Sequence, residues 1–344
     1  MSRRSPRELA VTVLQYGIAL LAVGWLLTQI EVGTVIDRLA SLDKRTIAIL
    51  LLVSLVGALA QFETWRAVLG AVTPTTRRAA ASTSLVVNFV NQLLPSRLSG
   101  RLAAPFVVRS YTGLSYADAA AVTGVHTGIY AVLYGTISVL GLVAIATLES
   151  VSIGLLGLLA ASTGLYLFAG TTVLLAGTNL RYLDPIVRGL ASVASLLPAI
   201  GDRLAARIDG LTDMTEASTA AFRTLATDRG VWLQYGLSWA IVLVVAPAIR
   251  VGVLLAAFGV PFEPLILLPF YLVTAYSVTL LPLTPGGVGV TEATATAVFV
   301  SLGVPGSAIV PIVFIDRVFG IYLPAVLGWI PAARLDLATL SVED

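Results

Sequence analysis

In a chain this apolar the residues able to do chemistry are few enough to take one by one. Glu292 closes the run Leu281-Pro282-Leu283-Thr284-Pro285-Gly286-Gly287-Val288-Gly289-Val290-Thr291, and no other charge occurs from residue 264 to residue 315. Asp316 and Arg317 follow side by side. Arg250 interrupts the apolar run 231–260, and His126, the single histidine, stands alone in 119–147. Arg97 and Arg101 belong to Pro95-Ser96-Arg97-Leu98-Ser99-Gly100-Arg101. Guanidinium groups pair bidentately with phosphate oxygens, so these arginines can hold an anionic headgroup. Ionisable groups inside hydrocarbon are expensive and by default mark function. The candidate substrate-binding residues are therefore Arg97, Arg101, Glu292, Asp316 and Arg317, supported by Pro95, His126, Arg250, Pro285, Gly286, Gly287 and Gly289.

Each has a plainer reading. Arg97 and Arg101 can anchor the chain at lipid headgroups, as Arg109 is expected to do, and a lone interior histidine is more often structural than a proton relay. Glu292 can favour a helix N-terminus at a tight turn, although its place at the break points to function. Asp316 and Arg317 leave a helix about 100° apart. They are expected to find partners across the bundle, with Glu292, Arg250 or His126 as candidates, and a structural ion pair weighs equally with a substrate contact for Arg317.

Other chemistries are excluded. Gly286-Gly287-Val288-Gly289 lacks the preceding strand and the Lys-Ser/Thr of a nucleotide-binding loop. The absence of cysteine removes thiolate chemistry, and a single histidine removes a multi-histidine metal site. No metal, cofactor or catalytic motif is expected. The balance of 21 Lys+Arg against 19 Asp+Glu gives no reason to expect nucleic acid.

The elements that must position these residues lie in a membrane. With 57% hydrophobic and 12% charged residues, the chain is an integral membrane protein. Arg3, Arg4 and Arg7 precede an apolar run at 9–30, too long for a cleaved signal peptide, which is read as an uncleaved first span with a cytoplasmic N-terminus. Six spans are expected, around 10–30, 46–62, 119–147, 151–178, 231–258 and 307–331. Residues 79–109 form two arms too short for secure spans, and a re-entrant hairpin fits them better. Residues 181–229 interleave charge with leucine and isoleucine at helical spacing, as a cytoplasmic amphipathic segment would. Trp25, Trp65, Trp232, Trp239 and Trp329 are read as interface anchors.

A second broken stretch surrounds Pro285, where two prolines and three glycines cannot continue a helix. Laid over the first without gaps so that Pro95 meets Pro285, it brings Gly113 onto Gly303 and His126-Thr127 onto Asp316-Arg317. Three spans separate the two hairpins, which would place them on opposite sides of the bilayer. The expected fold is an all-α integral membrane protein, a polytopic helix bundle with two inverted-topology repeats, each containing a re-entrant broken hairpin. The chain 1–344 is taken as a single membrane domain with repeat cores at 79–147 and 269–337 and both termini cytoplasmic.

At these motifs the chain resembles the flippase-like membrane family that includes the transmembrane region of lysylphosphatidylglycerol synthase. The resemblance rests on Asn91, Leu94, Pro95 and Arg97, on Pro285-Gly286-Gly287-Val288-Gly289 with Glu292, and on Gly303 followed by Arg317. Where the family has Arg-x-Gly-Glu, this chain has Arg97-Leu98-Ser99-Gly100-Arg101, without the acidic residue. The resemblance implies handling of a charged or glycosylated lipid, with Asn91 a supporting residue. It does not imply aminoacyl-lipid synthesis, since the soluble catalytic domain finds no room in 344 residues of membrane sequence. Three functions stay open: a lipid translocator in the cell membrane acting on a charged or polyprenyl- or glycosyl-linked lipid with an anionic or phosphate headgroup, an intramembrane headgroup transferase with Glu292 or Asp316 as base, and a scaffold subunit that binds a soluble partner at 181–229. A homo-oligomer is compatible with each.

Overall fold

The computed structural model describes residues 40–93, 97–148, 150–178, 222–223, 225–281 and 283–334. The expected first span at 10–30 and nearly all of the segment 181–229 lie outside these residues. Twelve α-helical stretches carry the described regular structure: α1 Lys44–Gly70, α2 Arg77–Leu93, α3 Arg97–Thr112, α4 Tyr116–Ala146, α5 Ile153–Thr178, α6 Arg229–Ala240, α7 Ala246–Ala257, α8 Leu268–Tyr276, α9 Val290–Ser301, α10 Gly306–Arg317, α11 Leu323–Leu327 and α12 Trp329–Ala332.

Among the described residues, five helices are long and apolar enough to cross a membrane: Lys44–Gly70, Tyr116–Ala146, Ile153–Leu175, Arg229–Ala257 and Gly306–Ala332. They match the expected spans beyond the first, with ends that differ by a few residues. The last two are composite. A π-helical turn at Ile241–Val245 joins α6 to α7, and another at Val318–Tyr322 joins α10 to α11. Each wide turn ends shortly before a proline, Pro247 or Pro324, whose missing N–H would otherwise leave a gap in the hydrogen-bond ladder.

Helix starts follow the sequence. Asp43 accepts from the Thr46 amide at 2.6 Å to begin α1, Ser115 accepts from the Asp118 amide at 3.1 Å to begin α4, and Asp228 accepts from Gly230 and Val231 to begin α6. Leu51, Leu52, Leu55 and Leu59 of α1 are all more than half exposed, a surface that suits lipid and not water.

Two buried apolar clusters organise the bundle. One gathers Trp65, Val86, Val108, Val125, Ile129 and Tyr235 from α1, α2, α3, α4 and α6. The other gathers Leu159, Leu254, Leu272, Phe299, Ile312 and Ile315 from α5, α7, α8, α9 and α10. Polar contacts tie them together at α4, where Thr274 donates to the Ser138 carbonyl at 2.9 Å and Ser138 bonds Thr163 at 2.7 Å. Close approach needs a small residue: a Cβ at Gly141 would run into the Phe270 carbonyl oxygen.

The shorter elements occupy the two broken stretches. α2 and α3 pack against each other, and α2 also packs against α11 and α12. α8 continues as a 3₁₀ turn at Ser277–Leu280, followed by the break and then α9. Gly113 after α3 and Gly303 after α9, which the sequence alignment superposes, both have positive φ, 71° and 85°. The helices that follow them, α4 from Tyr116 and α10 from Gly306, begin in the same register.

Candidate functional site

The proline- and glycine-rich break builds a helix start. Gly286, Gly287 and Gly289 have φ of 60°, 73° and 82°, conformations that put Cβ too close to the following carbonyl in other residues. Gly287 is also closed in by Thr279 and Thr291, which hydrogen-bond each other at 3.0 Å. Gly289 is the N-cap of α9, and its amide donates to Glu292 Oε2 at 2.7 Å. Glu292 Oε1 accepts from Arg317 Nε at 2.9 Å and from the Tyr322 hydroxyl at 2.5 Å. Both oxygens are engaged and the residue is 3% exposed.

A second pair lies beside the first. Asp316 accepts from Arg250 Nε at 2.7 Å through Oδ1 and from the Tyr276 hydroxyl at 2.9 Å through Oδ2. All four charged residues are buried. Each guanidinium thus meets one carboxylate, and each carboxylate also meets one tyrosine. The adjacent residues Asp316 and Arg317 do not pair with one another, because helical geometry sends them to different neighbours. Arg317 is further held between two rings, with Cζ 5.7 Å from the Tyr276 centroid and 5.5 Å from that of Tyr322. Gly320 leaves room for the other arginine, since a Cβ there would lie 2.6 Å from Arg250 Nη2.

The ion-paired residues other than Glu292 border a cavity of about 150 Å³ whose walls come from α1, α2, α3, α4, both π turns, α7, α8 with its 3₁₀ turn, α10 and α11. A water takes about 30 Å³ of liquid, so the space exceeds one water several times over. Arg250, Asp316 and Arg317 line it, and so do the rings of Trp65, His126, Tyr130 and Tyr134. Trp65 stacks on His126 with centroids 4.0 Å apart, and Tyr134 on Tyr166 at 4.3 Å. Arg317 Nη2 is buried without a hydrogen-bond partner among the described residues.

The structure therefore gathers Asn91, His126, Arg250, Asp316 and Arg317 around one space, together with Thr127. Glu292 stands behind Arg317 and does not border the cavity. Pro285, Gly286, Gly287 and Gly289 form the turn that positions it, and Gly286 lies against Gln92 of α2, where a Cβ would collide with Gln92 Oε1. The two broken stretches meet at that contact. Pro95 and the side chains of Arg97 and Arg101 lie outside what the structure describes. Trp65 and Trp239 correct an expectation: at 3% exposure each they are core residues and not interface anchors, whereas Trp329 at 61% is exposed. Sequence reasoning also missed Asn88, Gln92, Tyr276 and Tyr322. The two carboxamides were visible as polar residues close to Asn91 on the same helix; the tyrosines carried no such signal.

Comparison with known proteins adds one finding. The family model of the lysylphosphatidylglycerol synthase TM region matches residues 12–328. The chain belongs to that family. Neither a curated protein nor a solved structure shows a significant match. Membership in the lysylphosphatidylglycerol synthase TM region family agrees with a multi-pass membrane domain and with a lipid-related role in the membrane. The match reaches from before α1 to Gly328, the residue between α11 and α12, so the cavity and both ion pairs fall within the family's region.

Proposed function

We propose that this protein translocates a lipid with an anionic or phosphate headgroup between the leaflets of the cell membrane, the headgroup passing through the cavity beside Arg317. The observation that carries this reading is the buried Nη2 of Arg317, a charged donor with no partner among the described residues on a side chain that lines the cavity. A hydrogen bond to a charged group is worth about 1.5–3 kcal/mol. An arginine already fixed by Glu292 and two tyrosine rings spends little entropy on receiving a phosphate oxygen. Membership in a membrane family named for a phospholipid synthase supports a lipid over a soluble solute.

Repeats of opposite topology would give such a site access from both sides. That His126-Thr127 and Asp316-Arg317, matched positions in the two halves of the sequence, border one cavity supports this arrangement. In it both termini and residues 181–229 are cytoplasmic, with six spans and two re-entrant hairpins. Because the chain lacks cysteine, Ala205→Cys tests the topology directly: labelling by a reagent confined to the outside refutes it.

The functional test is reconstitution into vesicles with headgroup-labelled phosphatidylglycerol. Crossing should accelerate over protein-free vesicles and fall to that background in Arg317→Ala. No acceleration for any anionic or polyprenyl-linked lipid overturns the proposal.

A further inference from the structure

The cavity holds a second set of unsatisfied groups that the ion pairs do not explain. Asn88, Asn91 and Gln92 share one face of α2, at the spacing that stacks side chains along a helix, and all three border the cavity. Asn91 Oδ1 and Gln92 Oε1 are buried and have no hydrogen-bond partner among the described residues. Carboxamide atoms in an apolar surrounding are costly unless something bonds them. Gln92 is also confined, since it lies against Gly286 at the meeting of the two broken stretches.

We infer that these carboxamides form a hydroxyl-reading subsite, so that the cargo is a lipid phosphate whose headgroup is a polyol or a sugar and not an amine. This rests on the proposed function and names the class of headgroup. A carboxamide presents both a donor and an acceptor whichever way it is turned, and a hydroxyl can answer either. An ammonium only donates and needs a negative partner. None is left at this site among the described residues: both oxygens of Asp316 and both of Glu292 are already engaged by Arg250, Tyr276, Arg317, Tyr322 and the Gly289 amide. The four charges cancel in pairs, and a cationic headgroup would meet a half-satisfied Arg317 instead of a free carboxylate. A phosphate on Arg317 Nη2 with hydroxyls on Asn91 and Gln92 satisfies every orphaned group named here.

The test uses the purified full chain in detergent and four dioctanoyl lipids: phosphatidylinositol, phosphatidylglycerol, phosphatidate and phosphatidylethanolamine. Titration calorimetry should place the two polyol lipids about tenfold or more tighter than the other two, the equivalent of one or two buried hydrogen bonds. Asn91→Leu, close in size, should bring phosphatidylinositol down to the level of phosphatidate. Should that variant not fold, Asn91→Asp keeps the shape and supplies the missing carboxylate, and it should reverse the order of phosphatidylinositol and phosphatidylethanolamine. Equal binding of all four lipids, or a ranking unchanged in a folded Asn91 variant, overturns the subsite and leaves the translocator reading in place. Failure of all four to bind, together with no acceleration of crossing in vesicles, overturns the translocator reading and the subsite with it.

Discussion

The pairs His126-Thr127 and Asp316-Arg317 hold matching places in the two halves of the chain and border the same cavity, yet they are built from different chemistry. At the later one, Asp316 and Arg317 are each locked by an opposite charge and a tyrosine, with Arg317 between two rings. At the earlier one, His126 stacks on Trp65 and meets the edge of Tyr235, whose hydroxyl donates to the His126 carbonyl at 3.1 Å. The helices around them begin at matching places, and both follow a positive-φ glycine. Positions matched by the sequence offset therefore carry a charged wall in one case and an aromatic wall in the other. For the proposed translocation this amounts to a division of labour: the charged wall offers a fixed donor for an anion, and the aromatic wall a surface that needs no counter-charge.

The largest effect should come from breaking the charged wall. Arg317→Ala leaves the Glu292 carboxylate buried with only Tyr322 and the Gly289 amide, and breaking a buried pair in this way costs about 3–5 kcal/mol. Thermal unfolding in detergent should show that loss, and lipid crossing should disappear. Glu292→Gln with Arg317→Met removes both charges, and replacement of a buried pair by neutral groups of similar volume is often stability-neutral. Stability should return in the double variant while crossing does not. Full activity in the folded double variant would exclude the pair from transport.

A smaller effect distinguishes the two glycine turns. Gly286→Ala must adopt a left-handed backbone and place its Cβ against Gln92, whereas Gly113→Ala meets open space at a similar φ. The backbone term is about 1–2 kcal/mol for either. Gly286→Ala should exceed Gly113→Ala by the further cost of displacing Gln92, and it alone should slow crossing. Equal losses measured by chemical denaturation would mean that the contact between the broken stretches carries no strain.

Much of this was legible in sequence because hydrocarbon simplifies the reading. Apolar runs at 119–147 and 151–178 are long enough to have one meaning, and they contain α4 and α5 nearly whole. Glu292, Arg250, Asp316 and Arg317 had to find opposite charges, so a short list of partners sufficed. What was not legible was direction around each helix. In spans apolar on every side the periodicity carries no contrast, so Tyr276 and Tyr322 looked like any membrane tyrosine. Trp65 and Trp239 were misread for the same reason: position along a span gives depth in the bilayer but not which neighbour is faced.

The smallest predicted effect probes the aromatic wall. If the earlier position serves through ring surface alone, His126→Phe keeps the stack on Trp65 and the edge contact with Tyr235, and aromatic pairs of this kind contribute about 0.5–1.5 kcal/mol. Stability should change by less than that amount. Crossing should slow by less than about tenfold, a barrier change under about 1.4 kcal/mol, far short of the loss in Arg317→Ala. His126→Ala, which removes the ring, should cost more stability than His126→Phe because Trp65 loses its stacked face. A folded His126→Phe protein of normal stability that no longer moves lipid would overturn the division of labour: the imidazole would then be the chemical counterpart of Arg317, and both walls would contact the headgroup through polar atoms.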